Sequence, residues 1–173
     1  MICKFNNKTP DIAADSYVSS TAVIIGDVEI GSRCYIGPGA VIRGDAARII
    51  IGAECAIEDG VIIHAGGGGF SKSVISERVT IAHGAIVHSE YLGPSVSIGM
   101  GAIISVNSHI EANTVVAEGA LVRKGQRLES GIIVAGTPCR LLRRLEEKDI
   151  EYWEKTKDWY VALTAEYLAQ SNM

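Results

Sequence analysis

The chain has 173 residues, of which 16 are Lys or Arg and 20 are Asp or Glu, giving a formal net charge of −4. This length favours one domain with a small appendage, and the acidic balance argues against nucleic acid or a membrane as the main partner. The first residues lack a basic segment followed by a long apolar run. Neither a signal peptide nor a transmembrane helix is therefore expected, and we predict a cytoplasmic protein.

A six-residue repeat of aliphatic side chains runs through most of the chain, and small or β-branched residues often follow four positions later, as at Ala22, Val28, Cys34 and Ala40. A period of six fits neither an α-helix nor a hairpin meander, but it fits short strands joined by tight turns. With three hexads per triangular coil, it predicts an all-β solenoid, a left-handed parallel β-helix of about six coils. The aliphatic positions are Ile12, Val18, Ile24, Ile30, Ile36, Ile42, Ile51, Ile57, Ile63, Ile75, Ile81, Val87, Leu92, Ile98, Ile104, Ile110, Val116 and Val122.

The composition changes after Gly136-Thr137-Pro138, where the repeat ends. From Leu141 onward charged and aromatic residues predominate, and the larger side chains recur at spacings of mostly three and four, which is typical of an amphipathic helix. We therefore predict a β-helix domain over 1–140 and a C-terminal α-helix in a segment over 141–173 that packs on the solenoid. The predicted buried stripe of this helix is Ile150, Trp153, Lys157, Tyr160, Val161, Thr164 and Leu168.

Other conspicuous residues have simple structural interpretations. Cys34 and Cys55 occupy the small inward position of the repeat, so we interpret them as core residues and not as a disulfide or a nucleophile. The glycine-rich stretch 66–70 lacks the Lys-Ser/Thr pair and the helix of a phosphate-binding loop, so we interpret it as a corner insertion. His109 falls late in its hexad with no stacked partner, and we expect it on the surface.

Three further histidines occupy defined positions of the repeat. His64 directly follows Ile63, and His88 directly follows Val87, which is the third aliphatic position after Ile63 in the series Ile75, Ile81 and Val87. We expect them to stack on one face of the prism in neighbouring coils, about 4.8 Å apart, which is the usual strand spacing. Arg43 falls on the same face one coil lower, provided that the extra residues around Arg48 bulge out as a corner.

His83 follows its aliphatic position by two residues and so falls on a different face, with Asp59 directly beneath it. The two faces diverge within one chain, which keeps His83 away from His64 and His88. In a threefold assembly of parallel prisms, one face of each subunit meets a different face of its neighbour. We therefore predict a homotrimer in which His83 of one chain meets His64 and His88 of the next.

Three imidazoles leave a tetrahedral zinc ion with one open position, which is the arrangement of catalytic and not of structural zinc sites. Water bound there has a pKa of about 7, so a nucleophile is available at neutral pH. Asp59 and Arg43 are then placed to orient the ligands or to stabilise the interface.

These residues also resemble a known family. The runs Val41-Ile42-Arg43-Gly44-Asp45, Ile57-Glu58-Asp59-Gly60 and Ile81-Ala82-His83-Gly84-Ala85, together with His64 and His88, are similar to the γ-class carbonic anhydrases and their close relatives. The resemblance extends from about Ile12 to the terminal helix. The joint spacing of one arginine, one aspartate and three histidines is much more specific than the repeat, which many acyltransferases share.

The resemblance implies a homotrimer with zinc, or in some members iron or cobalt, at each subunit interface. It also implies the reversible hydration of carbon dioxide to bicarbonate. The metal ligands would be His64, His83 and His88.

The resemblance assigns further roles to residues around the metal. Arg43 and Asp45 would form an interface ion pair and help to hold bicarbonate, and Asp59 would support the ligands. Tyr160 would match a tyrosine that reaches the site from the C-terminal helix.

The chain departs from the family at two positions near the site. Glu58 stands where glutamine is usual, and Ala56 where asparagine is frequent. A carboxylate at position 58 could accept a proton from metal-bound solvent, or could repel bicarbonate and slow turnover. The residue after Asp45 is Ala46 and the glycine-rich insertion carries no carboxylate, so the acidic proton shuttles of the family have no counterpart there.

Other interpretations stay open. The three histidines could be structural residues that bind no metal, Arg43 and Asp45 could form an ion pair without a role in substrate binding, and Tyr160 could be a packing residue. For the whole protein the alternatives are a hexapeptide-repeat acyltransferase or acyl-CoA thioesterase, and a metal-binding trimer with little activity. An acyltransferase needs one histidine as general base and a groove for pantetheine, but not three histidines at metal spacing.

Overall fold

The computed structural model describes residues 1–66 and 72–171, so most of the glycine-rich insertion lies outside the described residues. These residues form short strands and one long helix, α1 (Glu147–Ser171). In this part of the chain no helix is both long and apolar enough to cross a membrane. The strands are β1 (Ile2–Cys3), β2 (Asp11–Ile12), β3 (Tyr17–Val18), β4 (Val23–Ile30), β5 (Tyr35–Ile36), β6 (Val41–Ile51), β7 (Ala56–Ile57), β8 (Ile62–His64), β9 (Lys72–Ile75), β10 (Thr80–Ile81), β11 (Ile86–Val87), β12 (Tyr91–Leu92), β13 (Ser97–Ile98), β14 (Ile103–Ile104), β15 (His109–Ile110), β16 (Val115–Val116), β17 (Leu121–Val122), β18 (Arg127–Leu128), β19 (Ile132–Ala135) and β20 (Arg140–Arg144).

The strands stack into the three faces of a prism. Face 1 contains β8, β11, β14 and β17, face 2 contains β9, β12, β15 and β18, and face 3 contains β3, β5, β7, β10, β13, β16 and β19. The long strands β4 and β6 bend around a corner, so that each contributes its first half to face 1 and its second half to face 2. The strands of each face pair in parallel, and the left-handed β-helix predicted from the repeat is confirmed.

The aliphatic repeat positions fill the interior of the prism. Ile42, Ile57 and Ile81 are fully buried, and Cys34 and Cys55 lie beside them as free, buried thiols. Each buried isoleucine contributes about 1.5–3 kcal/mol relative to an exposed one, so the repeat itself is the main source of stability. The interpretation of the two cysteines as core residues is confirmed.

The solenoid makes about seven turns, one more than the six counted from the repeat. Leu128 and Val134 continue the series beyond Val122 at the same six-residue interval, and both are buried. The extra residues around Arg48 form the predicted corner, because the register of β4 with β6 shifts between Gly26 and Val28.

Successive coils approach each other closely where each strand ends. A Cβ atom added to Gly37 would lie 2.6 Å from Asp59 Oδ1 and 3.0 Å from the Asp59 backbone nitrogen. The Asp59 carboxylate can rotate away, but the backbone cannot, so glycine at position 37 allows the turn that carries Asp59 to lie directly on the coil below.

The helix begins later than the predicted segment that starts at Leu141. Residues Arg140–Arg144 form β20, which pairs antiparallel with β19 and satisfies the backbone groups that the last coil would otherwise expose. The helix starts at Glu147 because Asp149 Oδ2 accepts a hydrogen bond from the backbone N–H of Glu146 at 2.8 Å, as in a capping box.

Helix α1 packs on face 3, where it contacts β3, β5 and β7. The predicted stripe faces the solenoid except for Ile150, which is exposed. Lys157 is the most unexpected member because it is fully buried and donates a hydrogen bond from Nζ to Ser97 Oγ at 2.9 Å.

Arg78 links this helix to the coils through three carboxylates. Its guanidinium lies 2.6 Å from Glu54, 2.7 Å from Glu154 and 2.8 Å from Asp158. Glu54 belongs to the solenoid, whereas Glu154 and Asp158 belong to α1, so one cation bridges both parts.

Candidate metal centre

His64 and His88 stack on face 1 as the repeat predicts. The strand register places them in adjacent coils, and their ring centroids lie 4.8 Å apart. Arg43 is the strand neighbour of His64 in the coil below. Burial, together with the nearby His64 and Arg43, lowers the pKa of His88. The ring is therefore unprotonated at neutral pH, as metal binding requires.

Asp45 joins Arg43 to His64. Arg43 Nη1 lies 2.6 Å from Asp45 Oδ2, and His64 Nε2 lies 3.1 Å from Asp45 Oδ1. Partial burial opposes ionisation of Asp45, but the hydrogen bonds from Arg43 and His64 outweigh it and lower the pKa of this carboxyl. The carboxylate is therefore charged at neutral pH and holds both side chains.

An exposed row of isoleucines lies beside the histidines on face 1. Ile62, Ile86 and Ile103 are strand neighbours in successive coils and are 41%, 37% and 43% exposed. Contiguous exposed apolar side chains on a protein surface commonly mark a site of contact with another protein.

His83 lies away from this pair, in the turn after β10, directly above Asp59 in the turn after β7. Its Nδ1 lies 3.6 Å from Asp59 Oδ2, and its Nε2 lies 3.0 Å from Glu58 Oε2. Within the single chain, the described residues include no group of three or more His, Cys, Asp or Glu side chains that could hold a metal ion. The register therefore agrees with the predicted separation of His83 from the other two histidines.

Glu58 is a buried carboxylate, only 5% exposed. Its Oε2 accepts a hydrogen bond from the backbone N–H of His83 at 3.2 Å, and its carboxylate accepts another from the Tyr160 hydroxyl. Burial raises the pKa of Glu58, although Tyr160 and His83 oppose the rise. Burial and the contact with Glu58 also raise the pKa of Tyr160 far above its usual value. Tyr160 thus reaches the site from the helix.

Tyrosines around Tyr160 form a cluster that was not predicted. The ring of Tyr35 lies 5.5 Å from that of Tyr160 and 5.6 Å from that of Tyr17, and the Tyr17 ring lies 4.6 Å from that of Tyr167. The sequence does contain a signal for half of it, since Tyr17 and Tyr35 precede aliphatic positions exactly three hexads apart and must therefore stack. Ala56, the strand neighbour of Tyr35, continues this column with a small side chain.

The expectation that His109 lacks a stacked partner is wrong. Its ring lies 4.6 Å from that of Tyr91, and its Nε2 lies 3.1 Å from Glu111 Oε1. Tyr91 and His109 directly precede Leu92 and Ile110, which are three hexads apart, and the strands align the two residues in neighbouring coils. The six-residue spacing therefore contained the signal for this pair.

The residues present fit a divalent metal ion. His64 and His88 supply two adjacent imidazoles, and His83 stands on a corner beside a buried carboxylate. A buried carboxylate is stable only if a cation or several hydrogen bonds compensate its charge. The donor set of imidazole and carboxylate is that of zinc, iron and cobalt sites.

Comparisons with known proteins agree with this fold. Residues 9–44 match the family model described as bacterial transferase hexapeptide (six repeats). The mitochondrial gamma carbonic anhydrase 1 of Arabidopsis thaliana is 32% identical over 169 residues, which cover 95% of this chain and 62% of that protein. The chain thus spans about three fifths of the length of that relative.

Two other similar proteins are matched over more of their length. The carnitine operon protein CaiE of Salmonella agona is 33% identical over 157 residues, which cover 90% of this chain and 78% of the relative. A crystal structure of a hexapeptide transferase family protein from Anaplasma phagocytophilum superposes with a TM-score of 0.90 at 32% identity, covering 96% of this chain and 97% of that one. The chain belongs to the γ-carbonic-anhydrase-like family of hexapeptide-repeat proteins.

Proposed function

We propose that this protein is a γ-type carbonic anhydrase-like lyase that reversibly hydrates carbon dioxide to bicarbonate. It acts as a homotrimer that binds zinc, or iron or cobalt in its place, at each subunit interface. One observation carries the proposal: His64 and His88 stack 4.8 Å apart beside an exposed apolar row on face 1, while His83 lies at a separate corner. A second copy of the chain supplies the missing third imidazole and covers the apolar row.

A bound metal would lower the pKa of a coordinated water molecule to about 7, so that hydroxide is available as the nucleophile towards carbon dioxide near neutral pH. The side chains around the metal would bind the bicarbonate anion and orient the neighbouring histidines and Glu58. Arg43 is partly exposed and charged, so its guanidinium is suited to hold the bicarbonate anion. Asp45 fixes Arg43 and His64 relative to each other, and Tyr160 fixes Glu58. Asp59 lies below His83 and limits its movement.

The first test is metal analysis of protein purified without chelator, followed by carbon dioxide hydration assays on zinc-loaded and iron-loaded protein. We expect one metal ion per chain and hydration by at least one form. Stoichiometric metal with no hydration in either form would refute the lyase and leave the acyl-transfer and inactive-trimer alternatives.

A mixing experiment tests whether the site is shared between chains. His64→Ala and His83→Ala variants should each lose metal when prepared alone. In trimers formed from equal amounts of both, random assortment should restore about a quarter of the sites, because one variant contributes His83 and the other contributes His64 and His88. A site built within one chain would show no restoration.

Acyl transfer is a second candidate, favoured by the His109–Glu111 pair on face 2. A histidine oriented by a carboxylate can act as a general base, and His109 lines a cavity of about 170 Å³ with Lys72, Glu90 and Tyr91. The two functions are separable, since His109→Ala would abolish thiol release from an acyl-coenzyme A and leave carbon dioxide hydration unchanged. No thiol release by the unmodified protein would eliminate this candidate.

A further inference from the structure

We propose that Glu58 is a fourth protein ligand to the metal, so that each site contains three imidazoles and one carboxylate. The inference rests on the proposed interface site and adds to it a donor from the chain that supplies His83. It predicts a metal with five or more ligands, because a water molecule must still bind for the reaction to proceed.

The charge balance around Glu58 is the first argument. The carboxylate is 5% exposed, and within the described residues its ion-pair partner is His83, with no lysine or arginine at contact distance. Its other contacts are the Tyr160 hydroxyl and the backbone N–H of His83, which are neutral donors. Buried charges are normally paired with a cation or bound to a metal, and a divalent ion beside His83 would provide that compensation.

The distance from Glu58 to His83 is the second argument. Metal bonds to imidazole and carboxylate are about 2.0–2.2 Å long, so two donors on one ion lie roughly 3.0–3.4 Å apart. Glu58 Oε2 lies 3.0 Å from His83 Nε2. A metal ion on that nitrogen is therefore within bonding reach of Oε2 after only a small movement of either side chain.

The other two carboxylates near the histidines differ from Glu58. Asp45 already pairs with Arg43 at 2.6 Å, so its charge is compensated within the chain. Asp59 is 53% exposed and lies 3.6 Å from His83 Nδ1, so water can solvate it. Of the three carboxylates, Glu58 alone combines burial, no contact with an arginine or lysine among the described residues, and a ligand-like distance to His83.

A carboxylate in addition to three imidazoles changes the preferred metal. Zinc favours four ligands, whereas ferrous iron and cobalt accept five or six with mixed nitrogen and oxygen donors. We therefore expect the unmodified protein to retain cobalt or iron better, relative to zinc, than a variant without the carboxylate.

The test compares cobalt binding by the unmodified trimer and by Glu58→Gln, which preserves the shape of the side chain and an acceptor for Tyr160. We expect the variant to bind Co²⁺ at least about tenfold more weakly, because even supporting residues around metal ligands contribute 10–100-fold in affinity. We also expect its visible cobalt band to become more intense, as coordination falls from five or more ligands to four. Asp59→Asn is the matched control: it removes a charge near His83 without removing a ligand, so the band should keep its intensity.

Each outcome decides between the proposals. An unchanged band and affinity in Glu58→Gln would overturn the assignment of Glu58 and leave the interface site intact. Equal weakening by Asp59→Asn would mean that Glu58 acts only through its charge, which also overturns it. A four-coordinate cobalt spectrum in the unmodified protein overturns it even if the variant fails to assemble. If the unmodified trimer binds no cobalt, zinc or iron, the proposed function itself fails.

Discussion

Lys157 provides a quantitative prediction about stability, because its ammonium group is buried between the helix and face 3. The side chain is 1% exposed, donates to Ser97 Oγ at 2.9 Å and lies 5.4 Å from the centre of the Trp153 ring. Burial lowers the pKa of Lys157 from its usual 10.5 to about 8. A difference of about 2.5 in pKa corresponds to about 3 kcal/mol, so the charged lysine costs the folded protein free energy of that order at neutral pH.

The perturbation is a double variant, Lys157→Met with Ser97→Ala. Methionine fills a similar volume without the charge, and the alanine prevents the serine hydroxyl from being left buried without a partner, which would cost about 1–3 kcal/mol. After allowance for the lost hydrogen bond and ring contact, we expect the double variant to be about 1–2 kcal/mol more stable than the unmodified protein near pH 7.

The pH dependence gives the sharper test. Because the folded-state pKa is below the unfolded-state value, the unfolded chain binds more protons between about pH 8 and 10.5, and the stability of the unmodified protein rises with pH across that window. The double variant lacks this pH-dependent contribution to stability, because it has no lysine at position 157. The difference in unfolding free energy should therefore shrink by about 1–2 kcal/mol between roughly pH 7 and pH 9.5 and can change sign.

The assay is urea unfolding followed by far-ultraviolet circular dichroism, at fixed protein concentration and with reductant to protect the four free cysteines. Taking the difference between the two proteins cancels tyrosines and thiols that titrate in the same range. A difference that stays constant from about pH 7 to pH 9.5 would refute the lowered pKa. A double variant that is less stable at every pH would show that the ammonium stabilises the fold.

Three other predictions concern coil contacts, assembly and helix docking. Gly37→Ala should destabilise the fold by about 2 kcal/mol and lower the thermal midpoint, because the new methyl group would lie 3.0 Å from the Asp59 backbone nitrogen and 3.0 Å from the Glu58 carbonyl carbon, which cannot rotate away. An unchanged midpoint would contradict the close approach of the two coils. Ile86→Glu should dissociate the trimer in sedimentation experiments and leave the circular dichroism spectrum unchanged. Leu142→Glu, the same change at another exposed site, should leave the trimer intact. A trimeric Ile86→Glu protein would contradict the use of face 1 in assembly. Arg78→Met should weaken helix docking by about 1–3 kcal/mol and speed amide hydrogen exchange in α1. High salt should produce part of the same effect in the unmodified protein. Equal exchange in both proteins would show that the bridging ion pairs do not stabilise the docked helix.

Much of the candidate site could be predicted from the sequence, because in a solenoid the position of a residue within the repeat determines the face on which it lies. Residues three repeat positions apart occupy the same place in neighbouring coils, so the stacking of His64 on His88 and of His83 above Asp59 follows once the glycine-rich insertion is counted as part of a corner. The same rule places Tyr91 next to His109 in the neighbouring coil, a pair that the expectation of an unpartnered His109 missed. The count also stopped one coil short at Val122, although Leu128 and Val134 continue the series at the same six-residue interval.

The repeat pattern was sufficient to predict the prism, its inward side chains and the separation of the histidines on two faces, because each depends on contacts at a regular spacing. The division of the C-terminal segment into β20 and α1, and the set of side chains that the helix covers, depend on three-dimensional packing that the repeat does not describe. Lys157 reaches Ser97, 60 residues earlier, and Tyr160 reaches Glu58, and no repeat relates these positions. Their burial depends on how the helix docks, which is set by the summed packing of its whole face and not by any local pattern.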